Sequence, residues 1–147
     1  MRNSSTFLLL IVFVTIIISC SKNDDSDLSI TNLKSVTDCD ITIQPETLVS
    51  ICVDGTDSAL PDEVIKFVTT FYSKTDNAST SKISWTIESG NMEILDIENS
   101  IDGLLAKSIA TIKFNSDFSG NGIIKGTAKN IGGEAFATHL VELETDE

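Results

Sequence analysis

The chain has 147 residues, the length of one domain. Its 22 acidic residues outnumber 10 Lys and Arg, for a net charge of −12 and a pI near 4.3. That balance repels phosphate backbones and anionic lipid and excludes nucleic-acid binding, while 41% hydrophobic and 22% charged residues exclude wholesale disorder.

Arg2 precedes an apolar run at 7–18 that only Thr15 interrupts. As a helix the run would span ~18 Å, short of a ~30 Å hydrocarbon core. A basic start, a short apolar stretch and a small residue behind it form the layout of a secretory signal peptide. The run is apolar all round, whereas a buried core helix would show one apolar face and caps. It closes on Ile17-Ile18-Ser19-Cys20, which resembles the lipobox of bacterial lipoproteins. The resemblance implies removal of 1–19, a diacylglycerol thioether on Cys20 and, with several acyl chains, a permanent membrane anchor.

Ser21-Lys22-Asn23-Asp24-Asp25-Ser26-Asp27 follows. A Lys followed by acids directly after the lipidated Cys is similar to the surface-export signal of Bacteroidota-type lipoproteins. That likeness implies the outer face of the outer membrane, with the periplasmic face as the alternative. Residues 20–37 show no apolar periodicity and read as an acidic flexible tether, leaving 38–147 as the folded domain.

Cys39 and Cys52 remain, and in an oxidising compartment two such thiols pair. Residues 41–43 and 48–51 read as strands around Gln44-Pro45-Glu46-Thr47. If Gln44 faces Thr47, Cys39 faces Cys52 in a non-hydrogen-bonded pair, a separation that suits a disulfide. Pro45 is not accepted by two-residue hairpin turns, which widens the expected loop. Asp54, Asp57, Asp62 and Glu63 flank the next turn and are the candidate Ca²⁺ ligands, although their spacing is not that of an EF-hand and a solvated loop is the favoured reading.

Strands are then expected at 64–72, 82–87, 92–97, 109–114, 123–129 and 136–143, with turn residues between them. A helical turn is marked at 101–107. In the last strand Ala137, His139, Val141 and Leu143 share one phase while Phe136 and Leu140 take the other, which suggests a bulge. Short strands at about ten-residue spacing, with Trp85 on an early one, predict an all-β, antiparallel two-sheet sandwich. From about 64 to 143 the chain resembles the PKD-like and immunoglobulin-like modules of bacterial surface proteins. The likeness rests on Ile83-Ser84-Trp85-Thr86-Ile87 with Ser89-Gly90, on Ala110-Thr111-Ile112-Lys113-Phe114, and on Ile124-Lys125-Gly126-Thr127-Ala128-Lys129-Asn130 with a closing Val141-Glu142-Leu143. Gly126 departs from the bulky residue expected in that penultimate strand.

No nucleophile-elbow or metalloprotease motif accompanies His139, the one imidazole, which reads as a surface or edge-strand residue. Asn77-Ala78-Ser79 has the form of an N-glycosylation sequon, and Asp57-Ser58-Ala59 resembles the O-glycosylation motif of Bacteroidota surface proteins. The expectation is a non-enzymatic surface module for adhesion, ligand capture or envelope architecture, whose partner is a protein or a glycan. The alternative is a carbohydrate-binding accessory lipoprotein, with Tyr72 and Phe118 as the exposed aromatic candidates. A small hydrolase or an inhibitor is less favoured.

Overall fold

The computed structural model describes residues 33–145. The leader, Cys20 and the tether up to residue 32 lie outside the described residues.

Eight strands form: β1 Val49–Asp54, β2 Ser58–Ala59, β3 Val64–Ser73, β4 Lys82–Ser89, β5 Met92–Asp102, β6 Leu105–Phe114, β7 Asn121–Asn130 and β8 Gly133–Leu143. They make two four-stranded sheets, ordered β1-β3-β6-β5 and β2-β8-β7-β4, and every pairing is antiparallel except β2 with β8. Lettering β1 and β3 to β8 as A to G gives ABED packed on CFG, the immunoglobulin constant-type order. The short β2 extends the first strand into the second sheet. The chain is an all-β two-sheet sandwich.

Period-two alternation drives this arrangement. β6 and most of β7 are buried at every second position, so one row of side chains meets the opposite sheet. The core gathers Ile65, Phe67, Ala110, Ile112, Phe114, Ile124 and Val141 around Trp85. The Trp85 indole N–H donates to Ser108 Oγ at 2.9 Å, so the one polar group of this large ring is satisfied inside.

Gly126 has its reason here. It lies opposite Trp85 in the β4–β7 register, and a Cβ on it would overlap Thr69 Oγ1 and stand 2.8 Å from Val53 Cγ2. The bulky residue expected at this position is replaced by a glycine because β3 and β1 fill the space from the other sheet.

Several expectations need correction. Residues 41–43 form no strand, and β1 pairs with β3 instead of closing a hairpin with them. The turn itself exists, closed by Thr47 N donating to Gln44 O at 3.0 Å. Residues 101–107 are not helical: β5 runs on to Asp102 and pairs with Leu105 across a two-residue turn. The bulge suggested for β8 is absent from its unbroken register with β7, whereas β4 is bulged between Ile87 and Ser89 and β5 between Ile94 and Asp96.

The disulfide between Cys39 and Cys52 is present, with Cα atoms 6.2 Å apart. It works as a strap. Cys52, Thr70 and Lys107 are one cross-strand row on the outer face of the β1-β3-β6-β5 sheet. Cys39 is bonded to the first and Asp38 is ion-paired to the last, so residues 38 and 39 lie across Thr70. This explains why Val68, Thr70 and Tyr72 are buried although they point away from the other sheet. The body also takes in residues 34–37, counted above with the tether: Val36 N donates to Lys66 O, and Lys66 N to Ser35 Oγ, each at 3.0 Å. Those bonds fill the edge of β3 that β1 leaves when it crosses to the second sheet.

Lys34 ties this segment to both ends of the body through Glu63, at 3.0 Å, and Glu144. Burial lowers its pKa, but hydrogen bonds and charge from the two carboxylates outweigh that, and the net shift is upward. A raised lysine stabilises the fold fully below its ordinary value of 10.5 and loses that contribution only as pH climbs past it.

Candidate binding surfaces

The two sheets present unlike outer faces. On the first, the strap covers the middle, and ion pairs Lys66–Glu98, Lys113–Glu93 and Lys107–Asp38 lace the remainder. On the second, strict alternation along β8 turns Ala135, Ala137, His139, Val141 and Leu143 inward and leaves Phe136 and Leu140 in solvent.

Phe136 is the exposed aromatic ring among the described residues, at 62%, with Lys125 Nζ 4.5 Å from its centroid. Register places Thr127 beside it on β7 and Ser84 beyond that on β4. A shallow hollow of about 430 Å³ adjoins, lined by Lys82, Ser84, Thr127, Lys129 and Glu134. Hydroxyls, two ammonium groups and an accessible ring form a surface suited to polar, hydroxyl-rich partners. A larger cleft of about 570 Å³ opens between β4 and β5, where Ile83, Ile101, Ala78 and Ala106 meet Ser81 and Asn99.

The two aromatic candidates from the sequence are not exposed. Tyr72 lies beneath the strap at 8% exposure, and Phe118, at 2%, packs edge-on against Phe114 with centroids 4.8 Å apart. Phe136 was the residue missed. Its signal was present, since five inward residues of one phase already require Phe136 to face out, and only the assumed bulge obscured it.

His139 is not a surface residue. Its Nε2 lies 2.9 Å from Thr56 O, to which it donates, and its ring meets Phe67 edge-on at 5.7 Å. The neighbouring carboxylate is the exposed Asp57, at 3.5 Å. A carbonyl, an aromatic ring and a surface carboxylate hold the imidazole, and none of them is a nucleophile for it to activate.

The four acidic candidates for calcium diverge. Asp54 Oδ1 accepts from Gly55 N at 2.8 Å, and Glu63 Oε2 accepts from Leu60 N at 2.7 Å as well as from Lys34. Asp62 has a positive φ of 64° in the turn before β3, and Asp57 points into solvent beside His139. Among the described residues no three His, Cys, Asp or Glu side chains gather into a group that could hold a metal.

At the end of the sandwich beside the β4–β5 cleft, Asp76 links two loops. Its Oδ1 accepts from Asn77 N at 2.8 Å and its Oδ2 from Ile131 N at 3.0 Å, in the β7–β8 turn. The Thr80 hydroxyl first, and then the Asn77 N–H, hold its carboxyl below the ordinary value of 3.8. A lowered acid stabilises the fold above that value and loses the contribution as pH falls through the folded-state pKa. Asp76→Asn should therefore be less stable than the parent near pH ~7, with the gap closing by about pH 2. Urea titrations at the two pH values measure it, and a gap that persists in acid would show that charge is not the cause.

Comparison of the chain with protein-family models and with curated proteins finds no match to either.

Proposed function

We propose that this chain is a lipid-anchored, non-catalytic binding or structural module of the outer-membrane surface, fastened at Cys20 in the manner of Bacteroidota-type lipoproteins. The observation that carries the binding part is the asymmetry of the two faces. One sheet is covered across its middle by its own disulfide-bonded strap and carries ion pairs beside it, while the other leaves Phe136 and Leu140 uncovered above β4, β7 and β8. A large exposed ring flanked by hydroxyls offers a partner an apolar and a polar foothold side by side.

The lipobox-like end of the apolar run supports the anchor. Cys20→Ala should release the protein from the membrane fraction into the soluble fraction. Retention in the membrane by the variant would overturn the anchor, whatever the sandwich binds.

A second reading, carbohydrate capture for a glycan-uptake system, is favoured by Phe136 together with Ser84 and Thr127, because an aromatic ring beside hydroxyls suits the apolar and polar sides of a sugar. A glycan array probed with the protein tests it. Phe136→Ala should lower any signal at least ~10-fold, the loss of one buried aromatic contact. An array without signal, or one indifferent to the substitution, removes the glycan reading and leaves a protein partner or an architectural role.

A further inference from the structure

We propose that the protein forms a two-fold dimer by antiparallel pairing of β4 with β4 of a second copy, merging the two β2-β8-β7-β4 sheets into one of eight strands. The inference is independent of what the Phe136 face binds.

An edge strand offers a row of unpaired backbone donors and acceptors, and proteins normally blunt such edges. Those of this sandwich are treated differently. β2 is two residues long and pairs only with Glu142 and Leu143 of β8, β1 lies beside the remainder of β8, and β5 carries Glu93, Asp96, Glu98 and Asp102. β4 pairs with β7 on one side only, and from Lys82 to Ile87 its register is regular. Its free edge borders the open cleft, with no strand laid along it.

The sequence of that strand names the occupant. Lys82-Ile83-Ser84-Trp85-Thr86-Ile87-Glu88 is symmetric in chemical class about Trp85: cation, aliphatic, hydroxyl, aromatic, hydroxyl, aliphatic, anion. Antiparallel pairing centred on Trp85 sets Lys82 opposite Glu88 of the second copy, Ile83 opposite Ile87, and Ser84 opposite Thr86, and the two-fold axis repeats each pair. Facing residues share a face, so like environments meet throughout: the charged and hydroxyl side chains outside, the aliphatic ones toward the core. Shifting the strands by two residues loses the charge match, so a single register is preferred.

The charges at this edge point the same way. Lys82 lies directly across from Lys129 on β7, a like-charge opposition that costs stability, and Lys82 makes no ion pair among the described residues. Glu88 is 3.0 Å from Lys125 on the outer face, which places its carboxylate on the side that Lys82 also occupies. A second copy would deliver that carboxylate to Lys82. The acids of β5 align with Lys113, Thr111, Ile109 and Leu105 on the far face of the other sheet, so they point away from the joint.

Cross-linking of the full chain in cells tests this. Ser84→Cys combined with Thr86→Cys puts two thiols across the joint from each other, and mild oxidation should give a covalent dimer on a non-reducing gel. Lys82→Cys alone should give little, since position 82 faces position 88 and not its own copy. In the 84/86 background, Lys82→Glu sets two carboxylates against each other and should cut the dimer roughly three- to tenfold. Adding Glu88→Lys should restore it. All four positions are exposed, so folding is retained, and protection of the Cys39–Cys52 pair from thiol reagents checks that. No more dimer from the 84/86 variant than from Lys82→Cys, or no rescue by the charge swap, would overturn the proposal.

Discussion

Replacing Cys52 with Ser should lower the free energy of unfolding by about 3 kcal/mol, the chain-entropy value for a closed loop of this size. The bond joins positions 13 apart, and the loop between them includes the turn closed by Gln44 and Thr47. Its loss reaches further than an ordinary cross-link because of what lies below it. Residues 38 and 39 span Thr70, which with Val68 and Tyr72 is buried on a face that no second sheet covers. Once the disulfide is gone, the middle of the strap is held by the Asp38–Lys107 pair, with Lys34, Ser35 and Val36 anchoring it on one side and Lys74 bonded to Pro45 O on the other, and an exposed carboxylate contributes little. The variant should bind an apolar dye more strongly and exchange the β3 amides faster. Urea denaturation of parent and variant, each with and without reductant, measures the effect. Reduced parent and variant should coincide, and a difference below ~1 kcal/mol between oxidised parent and variant would mean that the strap is not held by the bond.

Filling Gly126 should destabilise the body strongly although the substitution adds only hydrocarbon. Gly126→Val places branched carbon where Thr69 Oγ1 and Val53 Cγ2 already stand, and Trp85 closes the adjacent position in the same sheet. Overpacking of this kind costs ~1–3 kcal/mol or more, because neither backbone can retreat without breaking its ladder. Since Trp85 is buried and bonded to Ser108, its fluorescence should shift to longer wavelength as the sheets separate. The clash is specific enough to be relieved. Thr69 Oγ1 has no hydrogen-bond partner among the described residues, so Thr69→Ala alone should be nearly neutral. Combined with Gly126→Ala it should recover most of what Gly126→Ala loses, a coupling that a double-mutant cycle reads directly. Simple additivity would place the strain elsewhere.

Local information reached far into this chain. Alternation in Ile83-Ser84-Trp85-Thr86-Ile87 and in Ala110-Thr111-Ile112-Lys113-Phe114 is a property of the pleat itself, so strand identity and the inward face could be read without a partner in view. The two cysteines of the body pair as expected of two remaining thiols, but the hairpin register that was to set them opposite each other does not form. A hairpin was expected from residues near in sequence, whereas β1 finds a better partner in β3, whose Phe71 and Thr69 face Ile51 and Val53. The segment carrying Cys39 is then free to cross the sheet's outer side.

The surfaces were the least legible part. Whether Tyr72 is wet depends on a strap more than twenty residues upstream, and whether Phe136 is wet depends on β8 keeping step with β7 to its end. Neither is encoded within a window of a few residues. His139 reads as superficial because imidazole usually is, and it lies inward because the crossing from β1 to β2 brings Thr56 O within hydrogen-bond reach. The sequence alone determined an acidic chain and an alternating all-β body, since charge and side-chain period act within single strands. Tertiary structure decided which sheet face the strap covers and which ring among the described residues is left out, because burial belongs to pairs of surfaces and exists only once distant strands have met.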